Sequence, residues 1–495
     1  MRSCPVSATV PSNSLENFNF RIFTGITPDQ AKEMQALGRL RNQWIMGIVW
    51  MAGVWLGACS GQKKNVPQQT LPLPGLTTHQ NKVAQVQSSN QEKGLSNHSG
   101  PRVFTLDPSS LTSIRSRAKA GDPALLPALQ SLRQRAEEAL AMPVVQITDK
   151  PRDLWARSGD PKDYLSVSKF AWPDPAQPGK WIMIDGKPNE EAMKNLDGPR
   201  IKTLGTRITA LAEGWYFLGD GRYAQAAAEQ LRAWFLDPIT GMNPNMNFAQ
   251  AIKPDEDGKP WGIIDANRFP EILNSVGLLA DSGAWTAADD TALQDWFRKF
   301  NHWLVESPLG KSERAAKNNH GTFYDLILAT SAAYAGDDAL VREVLQNVGP
   351  GRLDSQVAAD GSTPEETKRA ESAMYTLWNL SGLCDLADLG KKFDVEIWNY
   401  PDAPNAKLRQ IGNFLLPYAL GEKEWTFGQQ KMSRNSPREY FRRASAAYRD
   451  PKFEQALPSI LATTSKEEYA ADRNVLLRPW PAGHEPWLKA PPASP

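Results

Sequence analysis

Residues 317–336 read KNNHGTFYDLILATSAAYAG, and the fold class turns on this stretch. From Thr322 to Ala335 apolar residues recur at three- and four-residue spacing, which predicts a helix, and Gly336 closes it. Asn318, Asn319, His320 and Gly321 gather polar groups just ahead of the apolar run. Unpaired backbone N–H groups and the helix dipole at such a start favour anions. The same field favours a neutral imidazole at His320, able to hydrogen-bond. An Asn cap followed by an incidental histidine accounts for these residues equally well at this level.

Outward from this helix, the same periodicity marks 122–142, 200–218, 222–235, 269–283, 288–306, 338–348, 365–390 and 405–420. Gly219 and Gly221 bracket Asp220 as a helix stop, and no convincing alternating strands occur. Many helices with long polar connections point to helix pairs around a ring, an all-α architecture, rather than a simple bundle. Trp172-Pro173-Asp174-Pro175 and Asn243-Pro244-Asn245 hold too many breakers to be elements. Thr363-Pro364-Glu365-Glu366 reads as a helix start, with Thr363 as cap, Pro364 at the first position and Glu366 reaching back.

Lys and Arg number 56 against 55 Asp and Glu, a balance that argues against a general nucleic-acid binder. A polyanionic partner would need local basic clusters. Seventeen Trp residues supply core and also flat platforms for sugars. Three cysteines, Cys4, Cys59 and Cys384, give neither a disulfide framework nor a metal spacing, and Cys384 reads as a small core residue.

The amino terminus reads as an address. An apolar run over 45–58 follows Arg39 and Arg41 and leads through Gly57 and Ala58 into Cys59, the pattern of a secretory signal. Leu56-Gly57-Ala58-Cys59 resembles the bacterial lipobox, which implies cleavage before Cys59 and acylation of its sulfur. A single anchoring segment is the competing reading. The expected product is exported and lipid-anchored in the bacterial envelope, periplasmic or outer-membrane, touching membrane only through Cys59. Translation from Met34 would give an ordinary short basic leader. The expected organisation is an extension and signal over 1–58, a polar tether over 59–104, a helical body over 105–475, and a Pro-rich tail over 476–495 laid on the surface.

Histidine is scarce. Of five, His79 and His98 lie in the tether, His484 in the tail, and His302 in a core-like helical context, which leaves His320. A second candidate group is Lys368, Arg369 and Tyr375. A tyrosine titrates near 10 and needs a close cation to serve as a base. Six residues along a straight helix turn through about 600°, which leaves Arg369 and Tyr375 roughly 120° apart. Tyr375 alone reads more readily as a packed aromatic. No phosphate loop, G-x-S-x-G elbow or H-E-x-x-H motif is present. A carboxylate pair for glycoside hydrolysis is not readable from spacing.

An ordered series now takes in these residues: Asp163-Tyr164-Leu165-Ser166, Trp172-Pro173-Asp174-Pro175, Met242-Asn243-Pro244-Asn245 through Phe248-Ala249-Gln250, Ile264-Asp265 before Pro270-Glu271, Asn318-Asn319-His320-Gly321, Asp360-Gly361-Ser362, then Arg369 and Tyr375. Together they resemble the alginate lyase domain family over roughly 150–420. The resemblance implies an (α/α) toroid that cleaves alginate or a related uronate polymer, with no metal and no cofactor. It implies that Asn319 and His320 engage the substrate carboxylate, with Tyr375 as base and then acid and Arg369 beside it. Trp172, Asn243, Asn245, Gln250 and Lys317 are the expected sugar contacts. Removing a proton α to a carboxylate requires that the developing dianion be stabilised, which these side chains can do.

Three positions depart from the family pattern. Glu371 stands where a basic or small polar residue is common, Ile327 where Gln is common, and Phe248 where Tyr is common. Glu371 would pair with Arg369 or repel an anionic polymer. The first reading is a polysaccharide lyase. The alternatives are an inverting glycoside hydrolase on a similar ring, and a surface glycan-binding lipoprotein without catalysis.

Overall fold

The computed structural model describes residues 100–461, 465 and 472–479, all within one compact unit that spans 86–495. The leader, Cys59, most of the tether and the tail beyond Pro479 lie outside the described residues.

The principal elements are α1 (Pro108–Lys119), α2 (Leu126–Ala141), β1 (Leu165–Val167), β2 (Ala171–Pro173), β3 (Trp181–Met183), α3 (Asp197–Leu218), α4 (Gly221–Leu231), β4 (Phe248–Ala251), α5 (Phe269–Leu278) and α6 (Ala287–Glu306). After them come α7 (Asn319–Ala335), α8 (Asp338–Asn347), α9 (Ser372–Lys392), α10 (Lys407–Ala419), α11 (Arg438–Tyr448) and α12 (Pro451–Leu461).

Two kinds of helix alternate. In α7 every residue but His320 is buried, and α3, α5 and α9 are buried around most of their circumference. Such all-round burial belongs to an inner layer. By contrast α2 buries a single stripe of Ala128, Leu132, Ala136 and Ala139, and α8 buries Val341, Val344 and Leu345. Contacts follow that division: α3 packs on α2, α4 and α5; α7 packs on α5, α6, α8 and α9; α9 continues to α11. Inner helices in sequence, backed by outer ones, form the all-α (α/α) toroid.

The inner helices share a direction. Arg102 donates to the carbonyls of Ala333 and Tyr334 at 3.3 and 2.7 Å, and Lys392 donates to Leu106 at 2.6 Å. Gly277 lies against the Arg102 carbonyl, where a Cβ would collide with backbone. The carboxyl-terminal ends of α5, α7 and α9 therefore converge on residues 102–106, and their amino-terminal ends lie on the opposite face. Positive helix-dipole ends gather there.

Several expectations need correction. Trp172 and Pro173 belong to a strand, because Ala171–Pro173 pairs antiparallel with Trp181–Met183. A proline at the end of a two-stranded ribbon forfeits no ladder bond. The 365–390 helix is broken: one turn over Pro364–Thr367, then an interruption, then α9 from Ser372. Thr363 forms no side-chain cap bond, and Glu366 does not reach back, because its carboxylate is taken by Asn319. His302 is exposed on the outer side of α6, whose buried stripe takes Phe300 and Leu304 instead. Ile327 and Phe248 are core. Cys384 is a buried free thiol, as expected. The chain stays packed through Leu477, since Arg473 bridges Glu213 and Glu271 and residues 475–477 are buried.

Candidate active site

The start of α7 is held by its own polar residues. Asn318 caps the helix, its Oδ1 accepting from the His320 N–H at 3.2 Å. Arg352 lies beneath, clasping Asp325 at 2.7 and 2.9 Å and donating to the Ala316 and Arg314 carbonyls. Gly321 is required at this point, because a Cβ would meet both the Ala316 carbonyl and the Arg352 guanidinium. The segment before α7 is thereby fixed and presents His320.

His320 is partly exposed, and its Nδ1 lies 2.7 Å from Oε1 of Glu313, a buried residue of the short helix Pro308–Arg314. A carboxylate oxygen accepts, so Nδ1 is the donor to Glu313, and in the neutral imidazole Nε2 is left as the acceptor. Nε2 has no hydrogen bond among the described residues. Asn319 is fully buried, and its backbone N–H and Nδ2 both donate to Glu366 at 2.7 Å. Its Oδ1 finds no partner among the described residues. Burial pushes the Glu366 carboxyl up, offset by these bonds and by the charges of Arg369 and His320. That coupling joins the α7 start to the second cluster.

There the interrupted helix matters. Arg369 lies in the break and Tyr375 in the first turn of α9, so the azimuthal objection of a continuous helix lapses. The Arg369 guanidinium stacks 3.8 Å from the centre of the Tyr375 ring. Burial pushes the Tyr375 phenol up, and the Arg369 charge and hydrogen bond oppose that shift. Arg369 is not paired with Glu371. It makes a two-point bond to Asp185, at 3.0 and 2.6 Å, and Asp185 also accepts from the Ala370 N–H at 3.0 Å. The Arg369 bond holds Asp185 below the usual carboxylate range. Trp378 lies 6.3 Å from Tyr375 and packs on Phe323 at 4.3 Å, an aromatic backing.

Lys169, between β1 and β2, completes the cluster. Its ammonium lies 5.7 Å from the Tyr375 ring centre, 4.5 Å from that of Phe170, and 3.9 Å from the Glu371 carboxylate. Glu371 therefore answers to Lys169.

The expected sugar contacts divide. Trp172 stands on the β2–β3 ribbon that leads to Asp185, its Nε1 donating to the Lys187 carbonyl at 2.7 Å and Lys187 lying 4.6 Å from its ring. Gln250 sits in β4 with a left-handed backbone, φ 46°, and donates to Asp265 at 2.7 Å. Asp265 also accepts from Tyr164 and Ser166 at 3.0 and 2.6 Å, while burial pushes its carboxyl up. A strained residue held by such a network is preorganised. Asn243 is spent on structure, donating to Asp160 and Asp163 at 3.0 and 2.8 Å. Asn245 accepts from the Asn247 N–H at 3.1 Å, and neither residue shows a contact with the tyrosine cluster. Lys317 is exposed, three residues before His320.

Sequence reasoning missed Glu313, Asp185 and Lys169, and placed Glu366 in a local cap rather than against Asn319. Only Glu313 is near its partner in the chain, seven residues before His320, and no motif marked it. Asp185 reaches Arg369 across 184 positions. Among the described residues no three His, Cys, Asp or Glu side chains gather as a metal-ligand set.

The alginate lyase family model matches residues 147–425, more than half of the chain. The crystal structure of an alginate lyase from Bacteroides ovatus aligns with TM-score 0.70 and 29% identity, over 76% of this chain and 99% of that one. A variant of alginate lyase A1-III complexed with tetrasaccharide aligns with TM-score 0.44 and 13% identity, over 72% of this chain and 90% of that one. No curated protein matches the sequence.

Proposed function

This chain belongs to the alginate lyase family and is a polysaccharide lyase, and on that premise we propose that it cleaves alginate or a related uronate polymer by metal-independent β-elimination. The observation that carries this reading is the Arg369 guanidinium stacked 3.8 Å from the Tyr375 ring centre beside the amino-terminal ends of the inner helices. A cation on the ring face stabilises the phenolate that a base requires.

In the proposed reaction Tyr375 removes the proton on C5, α to the uronate carboxylate. The electrons form the C4–C5 double bond as the C4–O4 bond breaks, and the Tyr375 proton passes to the departing O4. One residue serving both steps suits a syn elimination, as in mannuronate or glucuronate units. His320 offers Nε2 toward the substrate. Asn319, fully buried and bonded to Glu366, serves to position the α7 start rather than to touch the carboxylate. Trp172, Gln250 and Lys317 stay assigned to sugar contact, and Asn243 and Asn245 to the loop that shapes the cleft.

Tyr375→Phe tests the reading. Turnover followed by ultraviolet absorbance of the unsaturated product should fall by at least about 10³-fold, while oligosaccharide affinity stays within about threefold. Retained turnover would remove Tyr375 from the chemistry. A protein that binds glycan without catalysis would show no turnover before substitution. Export as a lipoprotein acylated at Cys59 remains a proposal from sequence, tested by mass spectrometry of the mature amino-terminal peptide.

A further inference from the structure

We propose that Lys169 is a further cation that receives the substrate carboxylate beside Tyr375, with Glu371 as the partner it exchanges for that carboxylate; this rests on the lyase reading above.

The argument follows the hydrogen-bond donors. Arg369 spends Nε and Nη2 on Asp185, at 3.0 and 2.6 Å, and its charge is already shared with Tyr375. Asn319 gives its backbone N–H and one Nδ2 hydrogen to Glu366. His320 gives Nδ1 to Glu313. Three groups expected to neutralise a uronate are thus each held in part by a protein carboxylate, which leaves Arg369 Nη1, one Asn319 Nδ2 hydrogen and His320 Nε2.

Lys169 is not committed in this way. Its ammonium makes no hydrogen bond among the described residues. Its ion-pair partner Glu371 stands at 3.9 Å, beyond hydrogen-bond reach, and the two side chains are 40% and 41% exposed. An ammonium carries three donors and no acceptor, so these donors are available to an anion at the face of the cleft. Exposed ion pairs are weak, and replacing one carboxylate by another costs little. The base of the side chain is fixed even though its tip is free. The Asn189 N–H donates to the Lys169 carbonyl at 2.7 Å, and the Ile184 N–H to the Phe170 carbonyl at 2.9 Å. The ammonium therefore pivots on an anchored backbone within 5.7 Å of the Tyr375 ring centre.

This assignment also accounts for Glu371. Set beside a tyrosine that must meet an anionic polymer, an isolated carboxylate would repel substrate. Paired with Lys169, it holds the ammonium at the cleft and releases it to a sugar unit that presents a carboxylate at the same place.

Binding to the turnover-deficient Tyr375→Phe protein separates the possibilities. Calorimetric titration would use mannuronate and glucuronate tetramers, and the carboxyl-reduced counterpart of whichever binds tighter. Adding Lys169→Met should weaken the acidic tetramer by at least about tenfold and leave the reduced one within about twofold. Lys169→Arg should restore affinity to within about threefold, and Glu371→Gln should tighten it. Because the Lys169 tip is half-exposed, thermal melting should be unchanged in all three. Equal affinity for the acidic tetramer with and without Lys169→Met overturns the assignment while the lyase reading stands. Equal losses for the acidic and reduced tetramers also overturn it. No binding of either acidic tetramer to the Tyr375→Phe protein overturns the lyase reading, and this inference with it.

Discussion

His320 and Glu313 show how much of a site is decided by one unremarked partner. The helix-end field at His320 was legible because Asn318, Asn319 and Gly321 announce a helix start. The buried carboxylate at 2.7 Å was not, although it sets which ring nitrogen carries the proton. Glu313→Gln keeps the size of the side chain but removes the charge and frees the ring to reorient. It should lower kcat/KM by roughly 10²-fold with the melting temperature little changed, a loss read from steady-state kinetics and thermal denaturation. The tyrosine makes a pH prediction. Burial raises the Tyr375 phenol above its ordinary value and Arg369 partly offsets this. A base whose folded pKa is raised stays protonated at neutral pH, so the active phenolate grows as pH climbs. The logarithm of kcat/KM should therefore rise from about pH 7 to beyond about pH 9. Arg369→Gln removes the offset, so its rising limb should shift to higher pH and kcat should fall about 10²-fold. A rate independent of pH over that range would take Tyr375 out of the role of base.

At the scale of elements, the boundaries that periodicity gave least well are the ones that make the site. The helix expected over 365–390 breaks between Thr367 and Ser372, and that break lets Arg369 fold back on Tyr375. Thr363-Pro364-Glu365-Glu366 carries every local sign of a capping box, yet Glu366 bonds to Asn319, 47 positions away. A long-range donor pair outcompeted the local one, which no window of sequence displays. The strand at Ala171–Pro173 was hidden similarly, since its partner strand lends it order that Pro173 and Pro175 disfavour locally. The α7 start rests on Arg352, a buried cation bonded to a buried Asp325. Arg352→Met leaves that carboxylate uncompensated. It should cost about 3–5 kcal/mol of stability by denaturant unfolding, and activity should fall as the His320 segment loosens. A loss under about 1 kcal/mol would show that the α7 start is held by something other than this pair.

On the scale of the whole molecule, the division into inner and outer helices was readable in outline. Residues 322–335 carry a single charge, Asp325, and are otherwise apolar or small on all sides, whereas 288–306 and 338–348 alternate with charge. What spacing did not reveal was direction. That the carboxyl-terminal ends of α5, α7 and α9 meet at residues 102–106 follows from contacts such as Arg102 with Tyr334 and Lys392 with Leu106. With the amino-terminal ends gathered on the other face, the positive ends of the helix dipoles add to a site whose cations Arg369 and Lys169 are paired with Asp185 and Glu371. The most direct test of the central claim is ultraviolet absorbance of the purified protein. It would be mixed separately with polymannuronate, polyguluronate, glucuronan and hyaluronan, with a metal chelator present throughout. The account predicts a steady rise with polymannuronate or glucuronan that survives the chelator. Silence on all four by folded protein, or new reducing ends released without absorbance, would contradict it.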